Sequence, residues 1–247
     1  MKSELARDDA RLASYEEIAP EYYDPLRHPT CANFREASAI VLRGWLREHP
    51  AAAREACEVG AGNSLLAELL AEAGVPLDGL LITDASPSML AHSEAWAGAG
   101  ARLALGRADA LPADSGSLGL LVSSLGDPYN EPGFWREAHR VLRPGGLLFF
   151  TTPAYEWARA FRSEADQADL MLAEFVTKDR GTLFVPSFIY PPERQREMVE
   201  SCDLKVLDVA GVRRSELESE LSPKLLIEET PSLVIVTGYL CVKPSRA

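Results

Sequence analysis

This sequence has only four cysteines, and no two of them stand close together along the chain. Cys31, Cys57, Cys202 and Cys241 are scattered, with no Cys-x-x-Cys pair and no Cys/His cluster. The usual structural zinc patterns are therefore missing, and no metal site is expected. Isolated thiols suit a reducing cytoplasm. A basic cluster is missing too, and the net charge is −12. Nucleic acid is held largely by Lys and Arg near phosphates, so the charge argues against such a partner. It favours a small substrate, neutral or cationic, or a specific protein partner. No run approaches the roughly 18 apolar residues of a membrane helix. The segment Met1 to Asp9 lacks the apolar core of a signal peptide. The expectation is a cytoplasmic protein with no membrane partner. No Gly-Lys-Ser/Thr is present, which excludes a P-loop. Neither repeats nor low-complexity tracts occur, and nothing in the sequence sets an oligomeric state.

What the chain has is a succession of short apolar runs alternating with helical ones. At 247 residues, 47% of them apolar, it can bury the core of one α/β domain with additions. The run ending at Glu58-Val59 leads into Gly60-Ala61-Gly62-Asn63-Ser64 and then a Leu/Ala/Glu helix from Leu65. Strand, glycine turn and helix in that order make a cofactor cradle. The glycines allow a tight turn and close approach, and the helix presents free N–H groups and its positive dipole end. A second run, Gly79 to Thr83, ends in Asp84, where an acid is placed to accept both hydroxyls of a ribose. A third, Ala101 to Leu105, precedes Asp109-Ala110. A fourth, Leu118 to Ser124, is followed by Leu125-Gly126. Arg140 to Thr152 then reads as a helix end, a Pro-Gly-Gly turn and a buried strand. A dinucleotide dehydrogenase would carry a third glycine where Leu65 stands.

Together these residues resemble the class I S-adenosylmethionine (SAM)-dependent methyltransferases, in particular the type 11 group acting on small molecules. The resemblance covers Ala56 to Thr152 and, more loosely, the flanks. It implies a Rossmann-like α/β fold with a seven-stranded sheet in the order 3-2-1-4-5-7-6, the last strand antiparallel and helices on both faces. It also implies SAM as methyl donor and S-adenosylhomocysteine as product. Position by position, it places Gly60, Ala61 and Gly62 against the methionine part, with Ser64 as a third small residue. Glu58 would orient the turn and accept from the amino group. Asp84 would bind the ribose. Ala85, Ser86 and Met89 would border the adenine. Asp109 would accept from its amino group, and the Ala110 N–H would donate to a ring nitrogen. Ser124 and Leu125 would flank the cofactor beneath the sulfonium.

Tyr15 to Asp24 is similar to the Tyr-x-x-Ile-Ala-x-x-Tyr segment ahead of the SAM domain in this group, and the resemblance implies that the matching Tyr15 and Tyr22 bind the cofactor at its methionine end or reach the substrate. The resemblance implies a cap, residues 1–49, before a domain of residues 50–247. An insertion of about 153–191 would form a lid or substrate wall. Residues 12 to 33 and about 155 to 190 would then close over the cofactor. Within 153–191, Ala154 to Phe175 contains helical stretches rich in Ala, Glu and Asp, and Thr177 to Tyr190 reads as irregular. Catalytic candidates are His28, whose ordinary pKa lies near neutrality, and Tyr22. Asp127-Pro128-Tyr129 is similar to an amine-holding Asp/Asn-Pro-Pro-Tyr loop but lacks the second proline, and a plain turn explains it as well. Three functions stay open: methyl transfer to a small molecule, methyl transfer to RNA or protein, and SAM binding without catalysis.

Overall fold

Four of the apolar runs become the middle of one sheet. A computed structural model describes residues 12–161, 171–179, 181–226 and 232–245. The strands are β1 (Ala56–Val59), β2 (Leu80–Asp84), β3 (Arg102–Leu105), β4 (Leu118–Ser123), β5 (Leu142–Pro153), β6 (Leu172–Thr177), β7 (Gly181–Pro186), β8 (Lys205–Arg213) and β9 (Val234–Val242). Seven of them form one sheet in the order β3-β2-β1-β4-β5-β9-β8. β1 is parallel to β2 and β4, and β9 runs antiparallel to β5 and β8. With the β6–β7 pair left out of the count, this is the expected 3-2-1-4-5-7-6 arrangement with its antiparallel last strand.

The helices are 12–18 (α1), α2 (Pro29–Glu48), α3 (Leu65–Glu72), α4 (Pro87–Leu90), α5 (Glu94–Gly98), α6 (Pro132–Val141), α7 (Tyr155–Phe161) and α8 (Pro192–Glu200). β1, β2 and β4 are buried along their whole length, as strands covered on both faces must be. Alternate residues point to opposite cores. Leu80, Ile82, Leu120 and Phe149 meet Phe34, Leu42 and Trp45 of α2 and Leu65 and Leu66 of α3. Leu81, Leu121 and Phe150 meet Phe134 and Trp135 of α6 and Val199 of α8. At about 1.5–3 kcal/mol for each large side chain buried, α2 is a major part of the core. Within the expected cap of residues 1–49, α2 packs on the sheet, while the described stretch before it, residues 12–28, lies over the strand ends.

One expectation for the insertion is corrected. A helical stretch is present as α7 and is followed by the strand Leu172–Thr177, but the segment read as irregular contains another strand, Gly181–Pro186. They pair as an antiparallel hairpin. The β-branched Val176 and Thr177 and the turn residue Gly181 were the available signals. The middle of the expected insertion, 162–170, lies outside the described residues.

Candidate functional site

A cavity of about 1300 Å³ opens at the carboxyl ends of the parallel strands, where an α/β sheet binds its ligands. Its floor begins at the glycine turn. Gly60 and Gly62 have φ of +61° and +49°, a left-handed backbone that glycine adopts without penalty. They are also covered by tyrosines. A Cβ on Gly60 would lie 2.5 Å from the Tyr129 hydroxyl, and one on Gly62 would lie 2.0 Å from that of Tyr23. The Tyr129 hydroxyl donates to the Val59 carbonyl at 2.7 Å and pairs with Ser123 Oγ. The Tyr23 hydroxyl accepts the Asn63 N–H at 2.7 Å. Gly60 and Ala61 line the cavity, whereas Gly62, screened by Tyr23 and Met89, is not in its wall.

Glu58, at the cavity wall, is committed to the helix behind it. Its carboxylate accepts from the N–H groups of Leu65 and Leu66 and from the Ser64 hydroxyl. Ser64 in turn caps α3 by accepting the Ala67 N–H at 3.0 Å. Ser64 is fully buried and outside the cavity wall. Its smallness serves the cap rather than the ligand. Burial pushes the Glu58 carboxyl up to about 7.

Asp84 closes β2 with 8% exposure. Oδ2 accepts the Gly62 N–H and Oδ1 the Ser86 N–H, both at 2.9 Å. The Ala85 N–H bonds the carboxylate as well; a carboxylate has about four acceptor sites, so capacity for a ribose hydroxyl is left. Ala85, Ser86 and Met89 follow along the wall. Glu16 of α1 accepts from the hydroxyls of Ser86 and Ser88 and from the Ser88 N–H, latching the segment before α2 onto this loop. The far wall carries Asp109, in a two-bond pair with Arg107 at 3.0 and 3.1 Å. An adenine amino group would share that carboxylate with the guanidinium. The expectation for Ala110 is corrected: it is exposed, lies outside the cavity wall, and gives its N–H to the Arg107 carbonyl at 3.0 Å.

Beyond β4, Ser124 and Leu125 line the cavity. Leu125 has φ +54°, a conformation that costs a residue with a Cβ about 1–2 kcal/mol. Its N–H bond to Thr151 Oγ1 at 2.9 Å helps hold it. Asp127, of the loop only partly similar to an amine-holding one, is buried outside the cavity wall and accepts from the Ser187 hydroxyl at 2.6 Å. It anchors the segment that follows the hairpin, in keeping with the plain-turn reading.

The roof comes from the segment before α2 and from the hairpin. Tyr22 stacks on Phe175 of β6 with centroids 5.7 Å apart and sits 6.3 Å from Tyr15. The Lys178 N–H reaches Glu21 at 3.1 Å. Tyr15, Tyr22, His28 and Cys31 all face the cavity. Burial raises both phenols well above their ordinary pKa and lowers that of His28. Arg35, which the sequence reading missed, also lines the cavity. It donates to the Asn63 carbonyl at 2.7 Å and to Glu68 at 2.6 Å. Nothing in its position on an amphipathic helix signalled that role.

The glycine cradle, the acid at the end of β2 and a cavity large enough for a nucleoside and more fit an S-adenosyl group. Comparison with known proteins agrees. Residues 57–150 match the family model described as a methyltransferase domain. A Haloferax volcanii methyltransferase, solved in complex with the Trm112 methyltransferase activator, aligns with a TM-score of 0.62 at 15% identity, covering 92% of this chain and 98% of that one. A SAM-dependent methyltransferase from Clostridium acetobutylicum aligns at 0.58 and 13%, covering 85% and 92%. Geranyl diphosphate C-methyltransferase from Streptomyces coelicolor, solved with S-adenosylhomocysteine, aligns at 0.59 and 11%, covering 83% and 80%. At these identities the likenesses show the fold. A search of curated proteins by sequence finds no match.

Proposed function

We propose that this chain, a class I SAM-dependent methyltransferase by its matched domain, methylates a small organic molecule. The observation that carries the reading is the roofed cavity. Pockets for one small ligand run to about 300–1,000 Å³, and about 1300 Å³ leaves room for donor and acceptor together. The Tyr22–Phe175 stack and the Glu21–Lys178 bond cover part of it from above. A folded RNA or protein would need an open approach, and the charge of −12 gives phosphates no attraction. No helix among the described residues is long and apolar enough to cross a membrane. The free thiols suit our reading of a cytoplasmic enzyme.

SAM supplies a methyl group on a sulfonium, an already activated leaving group. The chain has to bind it, align the acceptor and exclude water. We assign Gly60, Ala61 and Arg35 to the methionine end, Asp84 to the ribose, and Ala85, Ser86, Met89 and Asp109 to the adenine. Ser124 and Leu125 border the reacting centre. Glu58, Gly62 and Ser64 shape the cradle from behind. Tyr15 and Tyr22 wall the acceptor, and His28 is the group able to take a proton. Incubation with isotopically methyl-labelled SAM and three acceptor pools tests this. A metabolite extract should acquire label, while bulk RNA and a peptide library should not; label in either macromolecular pool with none in the extract would overturn it.

A further inference from the structure

His28 Nε2 is the buried side-chain nitrogen or oxygen that finds no hydrogen-bond partner among the described residues. His28 is 8% exposed and lines the cavity. Leaving a polar atom buried and unpaired costs about 1–3 kcal/mol, so such an atom marks a place where a ligand would supply the partner. Its setting is aromatic. The ring lies 5.6 Å from Phe175, which stacks on Tyr22, and Tyr22 neighbours Tyr15 and Tyr23. The other polar groups on this wall are the Tyr15 and Tyr22 hydroxyls and the Cys31 thiol, all held neutral by burial. The charged groups around His28 are Glu21, Arg27, Asp24 and Lys224. Of these none lines the cavity, and Glu21 is engaged by Arg27 and Lys178. Asp127 and Lys224 act on Tyr15, Tyr22 and Cys31 from outside the cavity wall, and Arg35, which lines it, is paired with Glu68, so the acceptor end itself presents flat apolar faces, phenol hydroxyls and one unpaired imidazole nitrogen.

Resting on the methyltransferase reading, we propose that the acceptor is an uncharged hydroxyarene, methylated on oxygen, whose hydroxyl donates to His28 Nε2. A phenolic hydroxyl is the partner that a neutral imidazole can both accept from and deprotonate, and the ring stacks on the surrounding aromatics. In the transfer, the phenol oxygen forms its bond to the methyl carbon as the carbon–sulfur bond breaks. Sulfur keeps that electron pair, and the hydroxyl proton passes to His28 Nε2. The products are an aryl methyl ether, S-adenosylhomocysteine and an imidazolium that returns its proton to solvent.

The test is binding to protein loaded with S-adenosylhomocysteine, using 2-naphthol, 2-naphthylmethylammonium and 2-naphthoate as probes. By calorimetry, 2-naphthol should bind at least about tenfold more tightly than either ion, because neither ion finds a partner charge. His28→Phe keeps the stacking but removes the acceptor. It should weaken 2-naphthol by roughly three- to tenfold, the worth of one neutral hydrogen bond, with S-adenosylhomocysteine affinity unchanged. His28→Gln retains an acceptor oxygen and should recover most of the loss. In wild type, the His28 Nε2 resonance in ¹⁵N spectra should move when 2-naphthol is added, a readout that survives if the variants misfold. Tighter binding of either ion, an unmoved Nε2 resonance, or 2-naphthol affinity unchanged in a His28→Phe protein that still binds S-adenosylhomocysteine would overturn the proposal. Failure of wild type to bind S-adenosylhomocysteine would instead overturn the reading beneath it.

Discussion

The hydroxyl of Tyr23 accepts the Asn63 N–H at 2.7 Å while sitting where a side chain on Gly62 would be. One tyrosine thus joins the segment before α2 to the glycine turn. Two further contacts repeat the tie. Glu16 binds Ser86 and Ser88, and the His92 ring donates to the Ala19 carbonyl at 2.9 Å. The segment before α2 and the cradle are connected, and several consequences can be measured.

Gly62→Ala should destabilise the protein by about 1–3 kcal/mol, from the left-handed backbone and the overlap with Tyr23. In a Tyr23→Ala background the overlap disappears and only the backbone cost stays. Urea denaturation of the four proteins of this cycle should show a coupling of about 1 kcal/mol or more. Strict additivity would mean that Tyr23 does not explain the glycine.

Glu58 predicts a pH effect on stability. Its folded pKa of about 7 lies above the ordinary 4.5. Between those values the folded protein keeps a proton that the unfolded chain has released. The contribution is therefore full below pH about 4.5 and falls as pH rises to about 7. Glu58→Gln, neutral throughout, should show a flatter melting temperature than wild type across that window. Parallel profiles would remove Glu58 as the source.

Closure of the roof should appear in hydrogen exchange. If residues 12–28 and the β6–β7 hairpin cover the cavity, S-adenosylhomocysteine should add protection to both, beyond its effect on the cradle. Phe175→Ala breaks the stack with Tyr22 and should reduce that added protection in both segments together. Protection confined to residues 56–125 would make the roof passive surface.

The parts of this protein legible in its sequence are those governed by local rules. The glycine turn, Asp84 at the end of β2 and the buried β4 and β5 runs announce themselves through spacing, periodicity and turn chemistry. The contacts that give the site its shape were not legible because they join residues far apart in the chain. Tyr23 meets Asn63 across 40 positions and Glu16 meets Ser86 across 70. Nor does the sequence tell which acid faces a ligand and which caps a helix: Glu58 and Asp84 both end apolar strands, yet the first is spent on α3 and the second keeps acceptor capacity toward the cavity. The β6–β7 hairpin was missed because its charged residues and short length resemble a helical pattern as much as an alternating one.

The central claim is that the cavity beyond the parallel strands holds the S-adenosyl group, with Asp84 on its ribose. Calorimetric titration of wild type and Asp84→Ala with S-adenosylhomocysteine, with NAD as control, tests it most directly. The account predicts micromolar binding to wild type, at least tenfold weaker binding to the variant from loss of a charged acceptor for the ribose, and no binding of NAD. S-adenosylhomocysteine binding equally well to both proteins, or to neither, would contradict it.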